Sequence, residues 1–249
     1  VIQLKTKEQL EKMRHAGKIA GSALALAGEK IAVGTSTAEI DSAVREFIEK
    51  HGAKPSFLGY GGFPASCCIS INDEVIHGIP SSSRIISDGD VVKVDVGAYF
   101  GGYHGDCANT FIAGNPTDAG LRIQQAVRDS FYAGIAQFFE GLRLGDIGSA
   151  IEKATTAQGF SVVRQYIGHG IGKKLHEAPE VPNFGTAGRG ARLTVGMTLA
   201  IEPMITAGSS DVKVLADDWT VVTVDGSLSA HYEHTVALTE NGVEILTKI

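Results

Sequence analysis

At 249 residues and 26.1 kDa, the chain has the length of one large domain or two small ones, enough to bury a core without disulfides or a structural metal. Apolar residues make up 43% and charged residues 20%, which excludes a disordered tail and a coiled coil. The 28 acidic and 22 basic residues leave a formal charge of -6. There is no global attraction to a phosphate backbone and no obvious basic patch, so no specific nucleic-acid recognition is expected.

The first helix is marked by Thr6 and Gln9, which can form a capping box, with Leu10, Met13, Ile19 and Ala20 on its apolar face. The opening stretch VIQLKTKEQLEKMRHAG carries charges where a signal peptide needs its apolar stretch, and no later apolar run reaches transmembrane length. A second helix reads from about Ser36 to Lys50: Ser36 and Glu39 cap it, Ile40, Val44, Phe47 and Ile48 recur at helical spacing, and Gly52 stops it. The Gly-rich loop YGGFPASCCISIND follows. Its Cys67 and Cys68 are poor partners for each other, and with Cys107 they make an odd set, so a reducing, cytoplasmic setting is expected. VVKVDVGAY, GG and YHGDCANTFIA then form a hairpin pattern of undetermined turn type. Residues from about Thr117 to Phe139 read as a long helix, and GDIGSAIEKATTAQG as another that repeats the second helix in length and apolar positions.

Laying SAVREFIEKHG, 42–52, over SAIEKATTAQG, 149–159, gives an offset of 107 residues. Without a gap, that offset places SDGDVVKVD, 87–95, over TVGMTLAIE, 194–202, with Gly89 on Gly196 and Asp95 on Glu202. Two α+β halves are predicted, about 6–114 and 115–249, facing each other around central strands with helices outside. No Pro/Ser/Gly linker separates them, so 1–249 is read as one domain with a pseudo-twofold core.

Asp95 in VVKVDVGA and Glu202 in MTLAIEPM stand where a strand calls for an apolar side chain. Asp106 follows the hairpin turn, and Glu233 sits in the strand-like HYEHTVAL. Burying uncompensated ions is very costly. Joined by His169 in QYIGHGIG, these carboxylates could instead hold two divalent ions, an oxygen-rich set with one imidazole that suits Mn, Fe, Co or Zn. Four unrelated charges at strand ends is the alternative. His77 in INDEVIHGIP and His176 in GHGIGKKLHEAP are either structural histidines or candidates for orienting a substrate and stabilising an oxyanion. The spacing of His169 and His176 is not that of the helical HExxH pair; the glycines between point to close approach of the chain to a ligand or to a sharp turn.

Taken together, SINDEVIHGIP, VVKVDVGAYFGGYHGDCANTF, GHGIGKKLHEAP, GMTLAIEPM and WTVVTVDGSLSAHYEHT resemble the type I methionine aminopeptidases of the short bacterial form, in peptidase family M24. The resemblance implies the pita-bread α+β fold, two halves around a central antiparallel sheet. It implies that Asp95 chelates one ion, that Asp106 and Glu233 bridge the pair, and that His169 and Glu202 complete the second ion's ligands. It further implies removal of the initiator Met from nascent polypeptides when the second residue is small, through attack of a metal-bound hydroxide on the peptide carbonyl. Glu202 would carry the proton, with His77 near the scissile amide and His176 near its carbonyl. Tyr60, Phe63, Cys68 and Trp219 would wall the Met pocket, Cys68 with no role as nucleophile.

Several positions depart from that pattern. Tyr is frequent in the family where Phe63 stands, an aromatic where Leu175 stands, and Gln where His231 stands; Leu175 could widen or soften a substrate wall. His231 shares a strand face with Glu233 and is read as a donor to a carboxylate, direct ligation being the alternative. The chain shows neither a Cys/His-rich N-terminal extension nor the type II insertion, so any ribosome contact would be transient and use the catalytic surface. A monomer is expected, and a non-enzymatic binding module is disfavoured because all five ligand positions are filled.

Overall fold

The computed structural model describes residues 1–248. Helix α1, Lys7–Lys30, opens with the reciprocal box: the Gln9 N–H donates to Thr6 Oγ1 at 3.3 Å and the Thr6 N–H donates to the Gln9 side chain at 2.9 Å. Helix α2, Thr37–Lys50, is capped the same way by Ser36 and Glu39, and it buries Ile40, Val44 and Ile48. Helix α3 spans Asp118–Ile135, four residues short of the expected end at Phe139. There the N–H groups of Gln137 and Phe138 turn back to Gly134 and Ile135, and the tighter turn buries Phe138. Helix α4 spans Leu144–Ala157, with the Arg143 N–H donating to the Asp146 carboxylate at 2.8 Å.

The helices cover a curled antiparallel sheet of nine strands. Its central run is Val91–Phe100, Tyr103–Ile112, Glu233–Thr239, Thr198–Ile201 and Gly168–Gly170. Gly101 and Gly102, at φ 59° and 89°, make the two-residue turn of the long hairpin, both in the left-handed region that a primed turn requires. The side chains of α1 and α2 form one apolar cluster with the first-half strands, and those of α3 and α4 form a second with the later strands.

The offset of 107 reappears in the backbone. It relates α2 to α4 at both ends, and the strand starts Val91 and Thr198. It also relates Gly89 to Gly196, at φ 83° and 94°, and the isolated bridge Ser36–Ile85 to Arg143–Arg192. The match stops where Pro203 lacks an N–H: the strand Thr198–Ile201 ends, Glu202 falls in the break, and Met204–Thr206 joins a separate three-stranded sheet. Among the described residues, no helix is long and apolar enough to cross a membrane. Cys67, Cys68 and Cys107 are buried free thiols.

Helix α1 lies so close to the hairpin that a Cβ on Gly105 would stand 2.6 Å from the backbone of Gly17. Gly105→Ala should therefore destabilise the fold by about 1–3 kcal/mol, through overpacking against a backbone that cannot yield cheaply. Urea unfolding of the metal-free protein checks this; a midpoint equal to wild type would contradict it.

Candidate metal centre

Sheet register gathers the five residues that the sequence scatters. Asp95 and Glu233 each lie opposite Ala108, and His169 and Thr235 each lie opposite Ala200. Asp106 is two residues from Ala108, so side-chain alternation directs Asp95, Asp106, His169 and Glu233 to one face, and Glu202, just past the end of the strand Thr198–Ile201, joins them around the same cavity. Ala108 and Ala200 are fully buried beneath them, too small to fill the space between the acids.

Asp106 and Glu233 are 4% and 2% exposed, values rarely seen for a carboxylate without a partner. Burial pushes Asp95 up to about 7. It drives Asp106, Glu202 and Glu233 well above the carboxylate range, with repulsion from the other acids adding to the effect. Asp95 Oδ1, Asp106 Oδ1 and Glu233 Oε1 are buried without a hydrogen-bond partner. Divalent cations fit this donor set: Asp106, His169 and Glu233 offer atoms within 4.8 Å of one another, as do Glu202, His231 and Glu233.

The histidines are set for complementary tasks. His169 Nδ1 lies 2.9 Å from the Gly170 carbonyl, which fixes the tautomer and turns the Nε2 lone pair toward Glu202 Oε1, 3.4 Å away. Burial lowers its pKa to about 3 and that of His77 to about 4, so both are neutral at pH 7. His77 sits at φ 60°, a strained conformation for a non-glycine residue. The next residue holds it there: the Gly78 N–H donates to Ser70 Oγ at 3.0 Å, and a Cβ on Gly78 would strike the Ile69 carbonyl. His176 packs on His169 with ring centroids 4.2 Å apart, and its Nδ1 lies 2.6 Å from the Tyr60 hydroxyl.

Between His169 and His176, a Cβ on Gly170 would stand 2.3 Å from the Ala178 carbonyl and one on Gly172 2.6 Å from Lys5 Cε, so both glycines permit close packing of the chain; Gly168, just before His169, does the same against the Ala200 carbonyl, 2.3 Å away. His231 does share the Glu233 side, but its Nε2 stands 3.8 Å from Glu233 and 3.9 Å from Glu202, too far to donate to either.

A cavity of about 160 Å³ opens beside the acids. Tyr60, Phe63, Cys68, His77, His176 and Trp219 all line it, with the Phe63 and Trp219 rings edge to face at 5.1 Å. Leu175, 2% exposed, supplies an aliphatic wall. Burial and the nearby acids raise the Cys68 thiol well above its usual range, which removes it as a nucleophile. The sequence reading passed over Phe57, another wall residue, and Asn183, whose side-chain amide donates to the Glu202 carbonyl at 3.0 Å. It also passed over Thr235, whose hydroxyl exchanges two 2.9 Å bonds with the Asp106 backbone. Only Thr235 carried a signal, being two residues from Glu233 on the same strand face.

In the metal-free fold the acids retain protons that ordinary carboxylates lose near pH 4. Carboxyl groups with raised values stabilise the metal-free fold most below about pH 4, and lose that contribution as pH climbs through the raised values. Because ions displace these protons, Mn addition near pH 7 should release protons, and the rise in Tm on loading should grow from about pH 5.5 to about pH 8. Calorimetry in buffers of different ionisation enthalpy, with thermal melts, checks this; a pH-independent gain without proton release would contradict it.

The family model for "Metallopeptidase family M24" matches residues 11–240. A methionine aminopeptidase of Clostridium perfringens is 52% identical over 249 residues, all of both chains, and methionine aminopeptidase 1 of Bacillus subtilis is 47% identical, again over all of both. The crystal structure of methionine aminopeptidase from Thermotoga maritima superposes with a TM-score of 0.98 at 44% identity, covering 100% of each chain. Prolidase from Pyrococcus furiosus gives 0.80 at 26% identity, with 99% of this chain and 65% of that one covered. The register that brings Asp95, Asp106, His169, Glu202 and Glu233 to one face thus belongs to a shared architecture, and the chain is a member of the M24 metallopeptidases, in the short type I methionine aminopeptidase group.

Proposed function

We propose that the chain removes the initiator methionine from nascent polypeptides whose second residue is small, using two divalent ions, Co, Fe, Mn or Zn, held by Asp95, Asp106, His169, Glu202 and Glu233. The observation that carries this reading is the adjacency of the five donors to a narrow cavity walled by Phe57, Phe63, Cys68, Leu175 and Trp219. The walls suit an unbranched, polarisable thioether, and the acids face a substrate's free amino end. We assign the protein to the cytoplasm as a monomer, a setting in which three buried free thiols persist. The same proposal treats it as one catalytic domain with halves 6–114 and 115–249.

Divalent ions held by these residues would supply Lewis acidity and lower the pKa of water toward neutrality. Glu202 lies at the cavity with its carboxyl pKa raised by burial, suited to take a proton from the attacking water and pass it to the leaving amine. In the tautomer where the Tyr60 O–H donates to His176 Nδ1, 2.6 Å away, the proton of neutral His176 sits on Nε2, where it can donate to the carbonyl oxygen as charge develops there. His77, held neutral and in a fixed backbone conformation, orients the scissile amide.

A cleavage panel of Met-Ala-Ser, Leu-Ala-Ser and Ala-Pro, run on metal-free protein reconstituted with each of the four metals, should show hydrolysis of the first alone. Cleavage of Ala-Pro in its place would overturn the specificity, and cleavage of none would overturn the activity. His176→Ala should lower kcat by about 10²-fold or more with metal stoichiometry unchanged, because its donor is aimed at charge developed in the transition state. Loss of an ion from this variant, seen by metal analysis after desalting, would make His176 a ligand instead.

A further inference from the structure

The Glu202 carboxylate lies between two imidazoles. Its Oε1 faces His169 Nε2 at 3.4 Å and its Oε2 faces His231 Nε2 at 3.9 Å, while Glu233 Oε2 stands 3.8 Å from the same His231 nitrogen. None of these is a hydrogen-bond distance. Two donors bound to one transition-metal ion at about 2.1 Å stand about 3.0 Å apart at right angles and about 4.2 Å apart when opposed. All three separations fall inside that interval.

His231 is held in this place from behind. Its backbone N–H donates to Thr110 Oγ1 at 3.0 Å, its carbonyl accepts from the same hydroxyl at 2.8 Å, and Met204 pairs with it across the strands. The residue is 1% exposed and its Nε2 has no hydrogen-bond partner. It shares that condition with Asp95 Oδ1, Asp106 Oδ1 and Glu233 Oε1, the unpartnered oxygens of the expected metal ligands. A buried, rigidly aimed nitrogen left unpaired is costly unless something absent from the protein itself completes it.

We propose that His231 Nε2 is a direct ligand of an ion shared with Glu202 and Glu233, so that the centre holds two imidazoles, His169 toward Asp106 and His231 toward Glu202. The inference rests on the reading that the acids hold divalent ions. It gives this chain a donor that the Gln frequent at this position in the family does not supply. An added imidazole raises affinity for Zn and Co relative to Mn, whose preference is for oxygen donors.

X-ray absorption on wild-type protein loaded with two equivalents of Zn tests this without any variant: the proposal expects two imidazoles per pair of ions, and a count of one overturns it. His231→Gln should then show one imidazole and lose Zn affinity by at least about tenfold, with a smaller loss for Mn. The metal-free variant should melt at or above the wild-type temperature, because an amide replaces an unpaired ring nitrogen; a lower melting temperature would mean that His231 serves packing. Unchanged Zn affinity and imidazole count in the variant would defeat the proposal while leaving the five-donor centre standing. Failure of wild-type protein to bind any ion would instead remove the reading on which it rests.

Discussion

Four carboxyl groups crowd one face of a curled sheet, two of them almost sealed from water, and their mutual repulsion has to be balanced by charge that the protein does not itself carry there. No lysine or arginine pairs with Asp106 or Glu233 within salt-bridge distance among the described residues; the groups near them are imidazoles that burial keeps neutral. A divalent cation resolves the imbalance and turns it to use, because an ion that satisfies repelling carboxylates in a dry site keeps strong polarising power. The stability of the metal-free protein and the chemistry of the loaded one are therefore opposite faces of a single electrostatic arrangement.

The pseudo-twofold architecture supplies the rigidity that this arrangement needs. Asp95 and Asp106 come from the first-half hairpin, His169 and Glu233 from strands of the second half and Glu202 from just past a strand end there, so every candidate ligand is held by sheet pairing or at a strand end. Each half backs its strands with its own helix pair and apolar cluster. Threonine hydroxyls clamp backbones from neighbouring strands at two critical points, Thr235 on Asp106 and Thr110 on His231. The cavity likewise draws on both halves, with Tyr60 and Phe63 on one side and Leu175, His176 and Trp219 on the other.

Much of this was legible in the sequence because it depends on local chemistry. Capping residues marked the starts of α1 and α2, helical spacing marked their buried faces, and the offset of 107 carried over to backbone geometry at Gly89 and Gly196. The acids were legible because a charge in a strand that should be apolar is conspicuous. What the sequence hid depends on long-range register: that Glu202 lies in a break made by Pro203, that the glycines around His169 serve strand packing, and that His231 is positioned at ligand spacing beyond hydrogen-bond reach. Phe57 and Asn183 were also hidden, since an aromatic beside a glycine-rich loop and a lone amide have no periodicity to betray them. The strained His77 backbone has no sequence signature, since it follows from how Gly78 folds back against the preceding strand Cys67–Ile71.

Near neutral pH the acids cost the metal-free fold stability, and ions restore it. Glu233→Gln keeps the shape of a buried side chain while removing one of the repelling charges, so a thermal melt of this variant with and without Mn near pH 8 addresses that claim directly. The metal-free variant should be more stable than metal-free wild type and should gain much less stability from Mn. A metal-free variant less stable than wild type, with the full response to Mn retained, would contradict it.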